Sequence, residues 1–395
     1  MNTLGAVIFV NPATPSLPIR RPSCIFVPVF RQAKSSSLRL INNSTAQIKA
    51  SAFSVPSKHG TQVHMTMPSK SQPDQDPNKT QNEDQYFPIC PAVLNPDIMT
   101  DFRVYLKQND RFVLYTLERQ RFTKELKDRL VNNGIDTVYV PSHQQESYEQ
   151  YVFENLDTIL SNSEVDEEVR SRVLLDTSAK QMENLFENQE NQITQETIQD
   201  LGKLVDSSMK FLSRINAIDS LAKFVSHDYK TYTHCVNVFA YSSMMLNTYN
   251  LPFSFKRKVG LGALLHDIGK TLIPPKILNK PGKLNPQEWT EVQKHSIYGV
   301  RVCSHLTLSQ TTIHCILFHH EKHNGRGYLS GLNGDEIPFP VKIITCCDVY
   351  DAITSKRPYA DAETSFNTLK IMSQEMEGSF DQEIFQRFAS LINPS

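Results

Sequence analysis

The sequence predicts a mainly α-helical chain: an all-α C-terminal bundle, preceded by a small α+β module and a disordered N-terminal segment. Three observations carry this. Apolar residues recur at helical spacing from about residue 144 onward, alternation typical of strands is confined to about 103–141, and residues before about 85 show no sustained period at all.

In chain order, residues 1–85 are rich in Ser, Pro, Asn and Lys, and the first 73 carry eight Lys or Arg and no acid. Such a stretch cannot bury enough apolar surface to fold. Its composition also fits an organellar targeting segment, or sequence lying upstream of a later start at Met65 or Met67, the reading we prefer of the two. Residues 86–159 form the α+β module. Arg103-Val-Tyr-Leu106 and Arg111-Phe-Val-Leu-Tyr115 flank Gln108-Asn-Asp110 as a hairpin. Thr123 caps a short helix that Asn133-Gly134 ends, and Thr137-Val-Tyr-Val-Pro141 is the next strand. Residues 160–221 read as a helical linker or lobe, with Leu201, Leu204, Val205, Met209 and Leu212 on one face. Residues 222–395 are helices separated by Pro- and Gly-bearing loops.

The net charge of -1 conceals an asymmetry: beyond residue 73 there are 33 basic against 42 acidic residues. A body that is mildly acidic does not attract polyanions by its overall field, which argues against a nucleic-acid-binding surface. No apolar run is long enough to span a membrane. Seven cysteines without CxxC spacing point to reduced thiols and a cytoplasmic setting.

The chemistry concentrates in the last segment. Val259, Ala263 and Leu264 share a helical face that His266 and Asp267 extend, and Lys270 lies one turn further. Ile313, Ile316, Leu317 and His320 repeat the construction, as do Ile344, Asp348 and Asp351. His234 shares a face with Val238, Tyr241 and Met245. Asn285-Pro286-Gln-Glu288 opens a helix with a capping box, and that helix is expected to carry His295. A single histidine at the edge of an apolar face is most often a hydrogen-bonded core residue, and His305, His314 and His323 are read so. Many ionisable groups aimed into one core are different, because without cations several would be buried unpaired. Mixed imidazole and carboxylate donors suit Fe(II), Mn(II) or Zn(II).

Residues from about 222 to 390 resemble the HD-GYP family, a branch of the HD-domain metal phosphohydrolases that acts on cyclic di-GMP. The likeness runs through Asp228 to His234, His266-Asp-Ile-Gly-Lys270, Ile277 to Leu284, His295-Ser-Ile-Tyr-Gly299, His319-His-Glu321, Asn324-Gly-Arg-Gly-Tyr328, Asp348 to Tyr359, and Phe380-Asp-Gln-Glu383. It implies an HD-domain helical bundle with two divalent metals per chain, iron or manganese in preference. One would be held by His234, His266, Asp267 and Asp348, and the second by Asp267, His295, His319 and His320. Lys270 would meet a phosphate oxygen, Tyr328 and Arg357 would contact substrate, and Asp228 and Asp351 would stand behind the ligands, either one relaying a proton. The implied activity is hydrolysis of cyclic di-GMP to pGpG and onward to GMP. Two alternatives stay open: hydrolysis of another cyclic dinucleotide or nucleotide, and a catalytically silent cyclic di-GMP receptor that signals to a partner. A homodimer and a signalling-protein partner are both compatible with the resemblance. The chain departs from the family pattern at Leu329, where proline is usual, at Asn324, where aspartate is usual, and at Lys230, where three-metal members offer a glutamate.

Overall fold

The computed structural model describes residues 85–96, 98–187, 193–213, 230–355 and 362–393. The segment read as disordered, with Met65 and Met67, lies outside them, as do Asp228 and Arg357.

The N-terminal module is a four-stranded antiparallel sheet in the order β1 (Tyr86–Ile89), β6 (Val138–Pro141), β3 (Val104–Gln108), β4 (Arg111–Thr116), with a separate ribbon of β2 (Met99–Thr100) and β5 (Gln120–Arg121). The β3–β4 hairpin closes through Asn109 and Asp110, both at positive φ (50° and 59°), which is the left-handed pair that a two-residue turn between twisted strands requires. Helix α1 (Lys124–Asn132) begins at Thr123, whose hydroxyl accepts the Leu126 N–H. It seats Leu130 in a core with Phe102, Phe122, Val138 and Val140. Strand β1 and the short β2–β5 ribbon left no readable pattern. They are two to four residues long, too short to express a period.

Helices α2 (Gln145–Glu154), α3 (Leu156–Ser161), α4 (Glu167–Glu187) and α5 (Gln195–Leu212) follow. The α5 face expected from its spacing is buried at all five positions. Leu156, Leu174, Met182, Phe186 and that face join one core with Val238, Leu264 and Ile344 from further along the chain, so these helices pack into the bundle and do not stand apart from it.

The site is carried by α6 (Thr231–Asn247), α7 (Phe253–Leu265), α8 (Pro275–Leu278), α9 (Pro286–Gln293), α10 (His295–Val302), α11 (Gln310–Phe318) and α12 (Phe339–Thr354). Helices α13 (Ser365–Gln374) and α14 (Gln382–Ile392) close the bundle over α12. No helix among the described residues is long and apolar enough to cross a membrane.

Two expectations are corrected. The capping box at Asn285 and Glu288 forms, but its helix stops at Gln293 and His295 opens the next one, because the chain must turn to bring that ring inward. In α11 the buried stripe is Thr312, Cys315, Ile316 and His319, not Ile313, Ile316, Leu317 and His320. His319 is therefore the deeper ring, and His320 stands at the mouth.

Candidate metal centre

His266, His295 and His319 are placed by one repeated device. Each sits just past the end of a helix, and each donates its Nδ1–H to the carbonyl three residues earlier: Ala263 at 2.7 Å, Val292 at 2.6 Å and Ile316 at 2.9 Å. A free helix-end carbonyl is thereby satisfied, and the ring is held as the tautomer whose Nε2 lone pair points into the bundle. His234, on α6, reaches the same state differently. Its Nδ1 faces Asp351 Oδ2 at 2.7 Å, and Asp351 is itself held by Asn237 Nδ2 at 2.8 Å and Ser355 Oγ at 3.3 Å.

The inward atoms gather into two groups around Asp267. His234, His266 and Asp348 offer donor atoms that all lie within 4.8 Å of one another, and so do Asp267, His295, His319 and His320. Asp267 lies between them. Its Oδ2 is 3.7 Å from His234 Nε2 and 3.5 Å from His266 Nε2, while Oδ1 is 3.4 Å from His295 Nε2 and 3.9 Å from His319 Nε2.

This arrangement fits cations. His295 Nε2 is 3.1 Å from His319 Nε2 and 3.2 Å from that of His320, so acceptor lone pairs confront one another. Donors about 2.1 Å from a common ion are about 3.0 Å apart at right angles, which is the spacing found. His266 Nε2 and Asp267 Oδ1 are buried without a hydrogen-bond partner. Three carboxylates, Asp267, Asp348 and Asp351, are buried here with one buried ammonium, Lys270, which pairs with Asp267. Unpaired negative charge in such a place is costly unless divalent ions offset it.

The ionisation states agree. Burial pushes His295 down to about 4 and His320 down to about 3, and burial with the neighbouring rings holds His319 well below its ordinary value. All three imidazoles are therefore neutral donors at neutral pH. Burial tends to raise Asp267, but the Lys270 ammonium and the surrounding histidines outweigh it and hold the carboxyl well below the usual range. Asp348 is likewise depressed: the His234 hydrogen bond and the His320 ring overcome its burial.

The other residues singled out from the sequence take these places. Lys270, on a 3-10 turn at Ile268–Leu272, is buried and ion-paired with Asp267 Oδ2. Tyr328 lies beside His320, ring centroids 4.6 Å apart, and Trp289 is 6.2 Å beyond. Asp351 is enclosed by His234, Asn237 and Ser355, so it orients a ring and has no open face toward a reacting group. His305, His314 and His323 lie away from the centre.

Two contributors escaped the sequence reading. Glu321 is buried, and its carboxylate accepts the N–H groups of Ser330 at 2.6 Å, Gly331 at 3.2 Å and Leu332 at 3.0 Å, which pins the loop bearing Tyr328. Gly327 makes this close approach feasible, since a Cβ there would stand 2.5 Å from the backbone of His320, Glu321 and Lys322. Asn237 was the other, readable only as the residue one turn after His234.

A family model described as an HD domain matches residues 180–384. The chain belongs to the HD-domain family. The match begins within α4, upstream of residue 222 where the resemblance starts, and the shared core explains why. Among curated proteins, the HD-domain chain is 38% identical over 191 residues to a cyclic di-GMP phosphodiesterase of Pseudomonas aeruginosa, covering 48% of this chain and 46% of that protein. It is 40% identical over 131 residues to 3'3'-cGAMP-specific phosphodiesterase 3 of Vibrio cholerae, covering 33% and 28%. The chain thus spans less than half the length of these relatives. Among solved structures, an HDG"Y"P protein of Bdellovibrio bacteriovorus superposes with a TM-score of 0.55 at 22% identity, covering 78% of this chain and 99% of that one, which shows the shared fold.

Proposed function

We propose that the chain is a metal-dependent phosphodiesterase that opens cyclic di-GMP to linear pGpG. The observation that carries this is the pair of donor groups sharing Asp267, one carboxylate oxygen turned to each. His234, His266, Asp267 and Asp348 would hold one divalent ion, and Asp267, His295, His319 and His320 the other. When bound, two such ions supply Lewis acidity at a phosphoryl oxygen and a water acidified towards neutrality. Iron or manganese suits the nitrogen and oxygen donors.

The chain's own residues do the rest. Lys270 holds a fixed positive charge in the wall, positioned to oppose charge that develops on phosphate. Asp351 keeps His234 in the tautomer that binds cations. Tyr328 presents an aromatic edge at the mouth beside His320, a surface on which a base or ribose can rest, while Glu321 keeps that loop from wandering.

The names of the relatives favour a second substrate reading, hydrolysis of a mixed cyclic dinucleotide, because the cations read phosphate and only the loops read bases. A silent receptor is the weaker reading, since a complete donor set has no use in one. The test is anaerobic purification with metal counting, then product analysis with cyclic di-GMP and 3'3'-cGAMP under added Fe(II) or Mn(II). Linear pGpG from cyclic di-GMP supports the first reading, preference for the mixed dinucleotide the second, and no turnover in metal-replete protein would leave the receptor.

A further inference from the structure

A cavity of about 690 Å³ lies between the β module and α4, far in sequence from the metal ligands. Its floor is apolar, formed by Phe87, Ile89, Val152 and Val173. Two polar groups face it with no hydrogen bond or ion pair among the described residues, the Asp176 carboxylate and the Tyr148 hydroxyl, and the Arg172 guanidinium acts on Asp176 only through space. Tyr148 is braced from behind by Phe87 and Phe102, with ring centroids 5.5 and 5.6 Å away. Acids outnumber bases in the lining, with Asp136, Glu149, Glu168 and Asp176 against Arg172 and Lys180. Lys180 is engaged by Glu149 and Glu183, 3.5 Å from each. The volume suits a small organic molecule.

A second cavity, about 350 Å³, shares Glu149, Asp176 and Lys180 with the first and reaches Thr233 and Asn237 on α6. That is the helix of His234. Two polar routes cross from the cavities to it. Lys180 meets Glu183, whose Oε1 accepts the Tyr232 hydroxyl at 2.7 Å. Asn237, in the cavity wall, holds Asp351 Oδ1, and Asp351 holds His234.

We propose that this cavity binds a small organic cation, an ammonium or amidinium group on a flat apolar body, and that its occupancy braces α6 and thereby the metal ligand His234. The cationic nitrogen would pair with Asp176 and donate to the Tyr148 oxygen, while the apolar body covers the floor. Burial raises the Asp176 carboxyl against the opposing pull of Arg172, so a cation in direct contact meets a group that gains from being paired. Binding is independent of the enzymatic reading, whereas the coupling to His234 rests on the metal site argued above.

The probe is 2-phenylethylammonium, titrated calorimetrically into the full chain, with phenylacetate as the same body of opposite charge. The expected result is millimolar or tighter binding of the cation, none of the anion, and at least a tenfold weakening in Asp176→Asn. Metal release to a chelator, followed on the same samples, should slow when the cation is bound. Tyr232→Phe, which cuts one of the two routes, should keep the binding and weaken that slowing, and unaltered slowing in it overturns that route. No cation binding, or binding unchanged in Asp176→Asn, overturns the site. Asp176-dependent binding with unaltered metal release overturns the coupling and leaves the assignment of the metal centre untouched.

Discussion

The β module and the helical bundle bury their side chains on opposite principles. The module's core of Phe102, Phe122, Leu130, Val138 and Val140 contains no charged group. The bundle, by contrast, holds every buried ionic or imidazole side chain among the described residues: His234, His266, Asp267, Lys270, His295, His319, Glu321, Asp348 and Asp351. Apolar burial stabilises without direction, so the module tolerates any packing that fills its volume. A buried carboxylate is tolerated only where donors or cations meet it, and so each polar group in the bundle has one workable position. The module's core is apolar throughout, whereas the bundle's core also holds the candidate donors.

Substitutions in the two regions should therefore behave differently, and the largest difference is expected at Asp267. Asp267→Ala removes the carboxylate common to both donor groups, so turnover should fall by about a thousandfold or more with loss of bound metal. Elemental analysis and single-turnover assays on the same preparation check this, and full metal content in the variant would break the site assignment. Asp351→Asn leaves the ligands in place but weakens the hold on the His234 tautomer, and should lower metal affinity about 10- to 100-fold in chelator competition. Glu321→Gln acts on the loop alone. It should raise KM about tenfold and leave metal content unchanged, because an amide accepts the three loop N–H groups less well than a carboxylate.

Acid should separate the regions without any substitution. In metal-free protein His295 is lowered to about 4 and His320 to about 3, against about 6.5 for a histidine in an unfolded chain. As pH falls below about 6.5 the unfolded state takes up protons that these rings cannot, so stability present above that pH is lost progressively towards about 3. Depressed Asp267 and Asp348 act in the same direction at lower pH. The single tryptophan, Trp289, stands near Tyr328 and reports on the bundle. Its fluorescence should change at higher pH than the module's sheet signal in circular dichroism, and coincident transitions would erase the contrast. The smallest effect at the metal centre is expected from Leu130→Ala, which should cost the module about 2–5 kcal/mol and leave metal content as it was. Denaturant titration with metal analysis measures both.

Much of both regions could be read from local pattern. Helical spacing placed the α5 face, the caps at Thr123 and Asn285 were visible as residue types, and the order of His and Asp residues pointed to the family. Where pattern failed, the cause was contact between segments far apart in sequence. The α11 stripe was displaced by one residue because Thr312 bonds the Lys258 carbonyl and Cys315 packs against Gly262, neither of which any local period records. Glu321 was visible only as part of the His319-His-Glu321 motif, and its role appears once the loop folds back onto it.

By itself, then, the sequence determined that the chain is mainly helical beyond about residue 144, which residue types are available as donors, and the HD-domain membership those residues spell out, since capping, periodicity and residue chemistry are local properties. The resemblance implied that two donor sets share Asp267, but only the tertiary structure decided the distances that place it between them, that Asp351 faces the His234 ring, and that His319 is deeper than His320. Those are distances between helices, set by how their side chains interlock, and no short stretch of chain contains them.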